Sequence, residues 1–336
     1  MNIKDHVISK NIEFKNRLVM PPMATAKADG NGHITKESLD YYEDKTSCKL
    51  FSAVIVEHSY VDKRGKAHKS QCSISNDSDI EGMSKLAKVI KNNNALAVLQ
   101  ISHAGSAGKK DVIGMSPVAP SCILHPGNKS SDLPIELSID QIEDIKNKFI
   151  DSAVRGKLAG FDAIELHCAH GYLLDQFLSP LTNKRKDEYG GDIYARIKLH
   201  IDIIKGIKEK LGKNYPIFLR MGAGDFMEGG LSKEDSVIAG KEFEKAGIDV
   251  LDISGGMCFY TIEDTRPGYF DVVSKPIFQS VNIPVILTGG IKKGTDIIDI
   301  LNRNVCDLVG IGRSVFKDSN WMTKELKDLK YEIKSI

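Results

Sequence analysis

The sequence predicts a single (β/α)8 barrel of the α/β class, and three observations support this fold. Eight short apolar runs rich in β-branched residues recur along the 336 residues. The runs are continuous rather than alternating, as expected for parallel strands that are covered on both faces. Amphipathic segments with helical spacing separate most of the runs. A doubly wound open sheet is the alternative, but no Gly-x-Gly-x-x-Gly motif follows the first strand, so the usual dinucleotide-binding motif is missing.

The predicted strands and helices alternate through the whole chain. Ser138 and Gln141 predict a capping box at the start of one helix. Ser232 is the predicted start of another. The predicted strands cover residues 17–20, 53–57, 95–101, 161–166, 216–221, 248–253, 284–287 and 306–311. Apolar residues at helical spacing are Ile142, Ile145, Phe149 and Ala153, then Ile197, Ile201, Ile204 and Leu211, then Val237, Phe243 and Ala246.

A long segment interrupts the alternation after the third strand. Residues 104–137 are rich in Gly, Pro and Ser and are too many for an ordinary loop. We expect an excursion or a lid over the mouth of the barrel. No low-complexity tract or linker divides the chain, so residues 1–336 are expected to form one domain.

Charge and cysteine content argue against several function classes. Lys and Arg number 46 and Asp and Glu 45, with no basic block, so nucleic-acid binding has no electrostatic support. No apolar run is long enough for a membrane span and the N-terminus lacks a signal peptide, so we expect a cytoplasmic protein without a membrane partner. Six scattered cysteines without a Cys-x-x-Cys pair predict neither a disulfide framework nor a metal site.

The most informative feature follows the fourth predicted strand. His167, His170 and Tyr172 lie within six residues, where a buried strand reaches the surface. Two imidazoles and a nearby phenol can stabilise a developing oxyanion and deliver a proton. A single buried histidine is more often a core residue, but three polar groups at one strand end favour a catalytic role. Barrel enzymes place their sites at these carboxyl ends.

Other strand ends carry residues that suit a phosphate and a polar heterocycle. Glycines follow strands seven and eight, where backbone amides of this fold commonly bind a phosphate, and Arg313 lies beside them. Gln100 can donate to and accept from an amide-like ring edge, and Arg220 can stabilise negative charge on a reduced heterocycle. A hydrogen bond inside the barrel and a surface salt bridge are the alternatives for these two residues.

The chain resembles the old yellow enzyme family of FMN-dependent ene-reductases, also called the NADH:flavin oxidoreductase/NADH oxidase family. Residues 167–191 carry the most specific part of the resemblance, which extends from residues 15–23 to residues 310–313. The resemblance implies a (β/α)8 barrel with FMN across its mouth. It also implies that NADH or NADPH gives a hydride to the flavin, which then reduces the C=C bond of an α,β-unsaturated carbonyl compound.

The resemblance assigns roles to particular positions. His167 and His170 would bind the carbonyl oxygen of the substrate, and Tyr172 would donate a proton. Gln100 would bind the pyrimidine edge of the flavin, and Arg220 would lie near its N1 and O2 atoms. The expected FMN-binding residues are Pro22, Met23, Ala24, His58, Gln100, Arg220, Gly289, Gly290, Gly312 and Arg313.

The sequence departs from the family in several places. Some bacterial members have a cysteine at the position of Ala24 and a substrate-facing tyrosine at that of Ala26. The first change removes a group that tunes the flavin potential, and the second would open the pocket to bulky enones such as steroids or bile acids. Larger members carry an iron–sulfur and FAD extension. We expect this chain, whose last cysteine is Cys306, to be the short form.

Family habit suggests a homo-oligomer. Some relatives reach an arginine from a neighbouring subunit's C-terminus into the site, but residues 330–336 contain no arginine, so this contact is not expected.

Three other functions remain open from the sequence. An NADH oxidase or an amine-oxidising demethylase would keep the flavin but use another electron acceptor or donor. A flavin-free isomerase or lyase of phosphosugars would explain the phosphate glycines but not Gln100 and Arg220. A non-catalytic binding protein would not explain the polar strand ends.

Overall fold

The structure, a computed structural model, describes residues 1–128 and 132–328. Residues 330–336, for which no arginine contact with a neighbouring subunit is expected, lie outside the described range. The strands in the described part are β1 (Val7–Ile8), β2 (Glu13–Phe14), β3 (Leu18–Met20), β4 (Ala53–Tyr60), β5 (Leu96–Ser102), β6 (Val118–Ala119), β7 (Ile135–Glu136), β8 (Ala163–Cys168), β9 (Ile217–Gly222), β10 (Val250–Ser254), β11 (Val285–Thr288) and β12 (Leu308–Gly310).

Eight parallel strands close into a barrel, which confirms the predicted fold. Their order is β3, β4, β5, β8, β9, β10, β11 and β12, and β12 pairs with β3. Strand β4 is longer than predicted, because its register against β5 shifts between Val56 and Ser59 and pairing then continues to Tyr60. Such bulges redirect side chains near active sites. Here the bulge contains His58.

Helices connect the barrel strands on the outside. Three 3-10 turns cover Lys63–Gly65, Asp77–Asp79 and Gly105–Ala107. The α-helices in the described part are α1 (Lys36–Thr46), α2 (Ile80–Asn92), α3 (Lys110–Ile113), α4 (Ile139–Leu158), α5 (Leu173–Leu178), α6 (Ile193–Arg196), α7 (Lys198–Leu211), α8 (Lys233–Ala246), α9 (Asp271–Phe278), α10 (Gly294–Asn302), α11 (Arg313–Lys317) and α12 (Trp321–Asp328).

The predicted helix starts are confirmed at α4 and α8. Ser138 Oγ accepts a hydrogen bond from the Gln141 N–H, and Gln141 Oε1 accepts one from the Ser138 N–H, so the capping box is complete. Ser232 caps α8 by accepting from the Asp235 N–H. None of the helices in the described part is long and apolar enough to cross a membrane.

Alternation along the strands fills the barrel in layers. Residues that point inward at the amino-terminal end are apolar, and the hairpin of β1 and β2 packs its own apolar side chains beneath them. The sequence did not predict this hairpin. The apolar floor consists of Val7, Ile12, Phe14, Val19, Ala53, Ile55, Val98, Ala163, Phe218, Val250, Ile286 and Leu308.

The excursion after β5 has structure of its own. It contains α3 and a short parallel pair of strands, β6 and β7. Its described residues do not line the cavity at the barrel mouth. The His125 ring instead stacks on Phe259 at a centroid distance of 5.4 Å, and Phe259 does line that cavity. The excursion therefore supports one wall of the mouth from behind.

Candidate active site

A polar layer lies inside the barrel directly above the apolar floor. It comprises Gln100 on β5, Glu165 on β8, Arg220 on β9 and Asp252 on β10, each two residues beyond a floor residue. Gln100 Nε2 donates to Glu165 Oε1 at 2.7 Å, and Arg220 Nη1 donates to Asp252 Oδ2 at 2.9 Å. The two carboxyls were missed by sequence reasoning, although a lone acidic residue within an apolar strand run is a usable signal.

The two histidines and the tyrosine after β8 meet above this layer. The His167 ring lies 5.1 Å from the His170 ring and 4.8 Å from the Tyr172 ring, measured between centroids. A tight turn produces this arrangement. The Tyr172 N–H donates to the Ala169 carbonyl, and His170 and Gly171 have φ of 59° and 68°. Two positive φ values in succession define a type I′ turn, which folds Tyr172 back over the strand end.

The protonation states of these groups suit hydrogen-bond donation. Burial lowers the pKa of His167 and that of His170 well below the usual range, and the nearby imidazoles and Arg220 add to the effect. Both rings are therefore neutral at neutral pH, and each carries one N–H. Burial raises the pKa of Tyr172 to about 12, so the phenol keeps its proton. Neutral donors and a protonated phenol match an electrophilic and proton-donating role.

Ser254 at the end of β10 connects the histidines with Arg220. Its Oγ lies 2.7 Å from His170 Nε2 and accepts from Arg220 Nη2 at 3.5 Å. Because arginine can only donate, the serine hydroxyl hydrogen is free to bond His170 Nε2. In the tautomer that accepts this bond, the His170 hydrogen lies on Nδ1. No role for Ser254 was predicted from the sequence.

The opposite end of the mouth offers glycines and an arginine. Gly289 and Gly290 have φ of 137° and 70°, which side chains rarely adopt, and a Cβ at Gly290 would lie 2.6 Å from the Arg266 carbonyl oxygen. Arg313 Nη2 donates to the Tyr269 hydroxyl at 3.1 Å. This end is a narrow backbone cradle with a cation beside it, as a phosphate group requires.

One cavity of about 420 Å³ joins these features. Its size lies within the range of ligand pockets in proteins. All thirteen residues that the sequence singled out for catalysis or cofactor binding line it, including Pro22, Met23, Ala24 and His58. Lining residues without a predicted role are Pro21, Ser254, Phe259, Tyr260, Tyr269, Phe270, Thr288, Ile291, Gly310 and Phe316.

The residues fit FMN on observations of this structure. Arg220 Nε and Thr288 Oγ1 are buried polar atoms without a hydrogen-bond partner, on side chains that line the cavity. A polar heterocycle would supply the missing partners, and the glycine cradle would accommodate a phosphate without steric conflict. The cavity therefore suits a ligand with a polar ring at one end and an anionic group at the other.

One expectation from the sequence is corrected by the structure. Ala26 is exposed, has φ of 56° and does not line the cavity, so its small side chain does not enlarge the pocket. Cys168 contacts His200 Nε2 at 3.2 Å, on the outer side of β8. Among the described residues, no three His, Cys, Asp or Glu side chains come together as a metal site.

Comparison with known proteins adds a family assignment. The model of the NADH:flavin oxidoreductase / NADH oxidase family matches residues 7–332. An NADH oxidase of Thermoanaerobacter brockii is 37% identical over 331 residues, which are 96% of this chain and 50% of that protein. An NADPH dehydrogenase of Bacillus cytotoxicus is 34% identical over 326 residues, 97% of this chain and 92% of that protein.

A solved structure shows the same fold. The old yellow enzyme homologue from Zymomonas mobilis superimposes with a TM-score of 0.84 at 23% identity, over 98% of this chain and 93% of that chain. The present chain thus spans about half the length of the Thermoanaerobacter relative and nearly the full length of the other two proteins.

Proposed function

Since the chain belongs to the NADH:flavin oxidoreductase / NADH oxidase family, whose cofactor is FMN, we propose that it reduces the C=C bond of α,β-unsaturated carbonyl compounds with hydride from NADH or NADPH. One observation carries the proposal. The two neutral imidazoles of His167 and His170 and the protonated phenol of Tyr172 share a cavity with the residues that fit FMN.

Binding of the cofactor is assigned to two groups of residues. Gln100 and Arg220 would hold the polar edge of the ring from the barrel interior. Gly289, Gly290 and Arg313 would hold the phosphate. When bound, FMN supplies the hydride transfer that no amino-acid side chain provides.

The chain's own residues polarise the substrate. His167 and His170 each donate an N–H to the carbonyl oxygen, and these bonds strengthen as negative charge develops there. The β-carbon becomes electron-poor as a result. Tyr172 then gives its phenolic proton to the α-carbon. Because its pKa is about 12, Tyr172 is protonated at neutral pH and can donate this proton.

The residues in the wall of the cavity favour a bulky and apolar substrate. Phe259, Tyr260 and Phe316 line it, and Tyr260 and Phe316 are 59% and 42% exposed. Exposed aromatic rings beside a polar clamp favour ligands that bring a ring system to the carbonyl group. Ala24, which lines the same cavity, leaves space where a larger side chain would fill it.

The test combines colour, binding and turnover. The purified protein should be yellow or should become so with FMN, and a cyclic enone should accelerate NADH or NADPH oxidation under anaerobic conditions. A protein that stays colourless and binds no FMN would refute the proposal. His167→Ala should weaken binding of phenols that imitate the enolate, whereas Glu234→Gln, a change on the exposed face of α8, should not.

A second candidate is supported by the name of one relative. The Thermoanaerobacter protein is an NADH oxidase, so oxygen is a candidate electron acceptor for this chain. The two functions differ in the role of His167 and His170. These histidines bind the carbonyl oxygen of an enone, whereas reduction of oxygen requires no such hydrogen bonds. Rapid reoxidation by oxygen that is unaffected by His167→Ala, together with no turnover of enones, would favour the oxidase.

A further inference from the structure

The polar layer beneath the cavity contains buried atoms that have no partner. Glu165 Oε2, Asp252 Oδ1 and Arg220 Nε are buried and unpaired. Glu165 and Asp252 are completely inaccessible to solvent. Leaving a buried polar atom without a hydrogen-bond partner destabilises the fold, so three such atoms in one layer require an explanation.

The strand registers place Glu165 and Asp252 at one level of the barrel. Glu165 on β8 lies opposite Phe218 on β9, which lies opposite Val250 on β10. In an eight-stranded barrel of this type, the level rises by about one residue per strand. Strand β10 is two strands away from β8, so the residue at the level of Glu165 lies two residues beyond Val250. That residue is Asp252.

The same registers identify the other two residues at this level of the barrel. Inward side chains at one level come from alternate strands and meet at the barrel axis. Gln100 and Arg220 lie on the strands in between. The remaining two positions are Ile55 on β4, which also belongs to the apolar floor, and Gly310 on β12. Neither carries a polar side chain. Among the four residues at this level, Asp252 is thus the one that can pair with Glu165 Oε2.

Charge balance requires a proton in this layer. Arg220 contributes one positive charge, and two ionised carboxylates would leave the buried layer with a net negative charge. The imidazoles of His167 and His58, which line the cavity above, are neutral because burial lowers their pKa, so they supply no compensating charge. An uncompensated buried charge is far more costly than a protonated carboxyl, so one of the two acids is protonated.

The contacts decide which acid holds the proton. Asp252 receives the charged Nη1 of Arg220, which favours its ionised form. Glu165 receives only the neutral amide of Gln100. Burial raises the pKa of both acids, that of Asp252 to about 6 and that of Glu165 well above its ordinary value, where the neighbouring Asp252 charge adds to the shift.

We propose that Glu165 is a protonated acid whose Oε2–H donates to Asp252 Oδ1, so that Gln100, Glu165, Asp252 and Arg220 form one hydrogen-bonded chain. Glu165 and Asp252 are then positioning residues, which orient the two side chains assigned to the ring of FMN. This inference rests on the proposed function for the identity of the ligand. It adds that the layer beneath the ring is electrically neutral, with one ion pair and one neutral acid.

Two variants with the same chemical change separate the two acids. Glu165→Gln keeps an acceptor for Gln100 and a donor for Asp252 and changes no charge if Glu165 is protonated. Asp252→Asn removes the negative partner of Arg220. The measurement is the ratio of the dissociation constants of oxidised and reduced FMN, obtained from the midpoint potential of the bound flavin between pH 6 and 9.

We expect Asp252→Asn to favour reduced FMN at least tenfold, a rise of about 30 mV for a two-electron couple. Glu165→Gln should change the ratio less than threefold across the pH range. An equal shift in both variants would show that Glu165 is ionised and would overturn the inference. If wild-type protein binds no FMN, the proposed function fails instead.

Infrared spectroscopy keeps the inference testable without the cofactor. Wild-type protein should show the carbonyl stretch of a buried protonated carboxyl that is lost in Glu165→Gln and retained in the exposed control Glu234→Gln. A difference spectrum between wild type and Glu165→Gln that lacks this band would refute the assignment, whether or not the variant binds FMN.

Discussion

Gln71 fixes the hydrogen position on His58. Its Nε2 lies 2.7 Å from His58 Nδ1, and its Oε1 accepts the Ala67 N–H at 2.6 Å. The second bond sets the orientation of the amide, so Nε2 is the donor and His58 Nδ1 must accept. His58 therefore carries its hydrogen on Nε2. Its ring centroid lies 5.2 Å from that of Tyr172 in the cavity wall.

The first prediction concerns a variant that should move the His58 hydrogen from Nε2 to Nδ1. Gln71→Glu replaces the donor by a carboxylate, which should accept from His58 Nδ1–H and leave Nε2 without a hydrogen. Gln71→Leu should instead lower the free energy of unfolding by about 1–3 kcal/mol, because buried polar groups lose their partners. Nitrogen-15 NMR of the imidazole measures the tautomer. An Nε2–H signal that persists in Gln71→Glu would contradict the prediction.

The second prediction concerns the proton donor. Tyr172→Phe removes the phenolic hydroxyl but keeps the ring that packs on His167. Loss of a general acid typically slows a reaction by about 10²–10⁴-fold, so we expect a loss of this size in alkene reduction. Reduction of bound FMN by NADH or NADPH should change little. Stopped-flow measurement of the two half-reactions separates these effects, and an equal loss in both would argue against the assigned role.

The third prediction tests the cradle at the phosphate end. Gly290→Ala places a Cβ 2.6 Å from the Arg266 carbonyl oxygen in a residue with φ of 70°. The left-handed conformation alone costs a side chain about 1–2 kcal/mol, so we expect lower stability and weaker FMN binding. Gly30→Ala is the control, since a Cβ there meets no atom within 4 Å. Equal FMN affinity in both variants would contradict the cradle.

The barrel was predictable because each of its strands appears in the sequence as a continuous apolar run. Both faces of each strand are covered, so eight continuous runs separated by helical stripes specify the topology. The β1–β2 hairpin was not predictable, because strands of two residues carry no periodicity. The length of β4 depended on a bulge, which the residue pattern does not mark.

The site was predictable wherever a polar residue ends a strand. His167, Gln100 and Arg220 were found in this way. The position of Asp252 at the same level as Glu165 was not predictable, because it depends on the combined registers of three strands. The aromatic wall was missed for a different reason, since it comes from loop residues whose position depends on tertiary contacts such as that between His125 and Phe259.

The fourth prediction is a pH dependence of stability caused by His200, which lies outside the cavity. Burial lowers the pKa of His200 to about 4. The hydrogen bond from its Nε2–H to the Leu174 carbonyl at 2.9 Å raises the pKa, but by less than burial lowers it. The ordinary value is 6.5, so below that pH the unfolded chain binds a proton that the folded chain does not.

The free energy of unfolding must therefore fall as the pH drops from 6.5 to 4. His200 contributes up to about 1.4 kcal/mol per pH unit to this fall. In His200→Gln the slope should be smaller by up to that amount, whatever the absolute stability at pH 7. Urea unfolding at several pH values measures the slope. Cys168→Ala is the matched control, because it removes a side chain in contact with His200 but leaves the histidine to titrate. If His200→Gln kept the wild-type slope, the buried neutral state of His200 would be refuted.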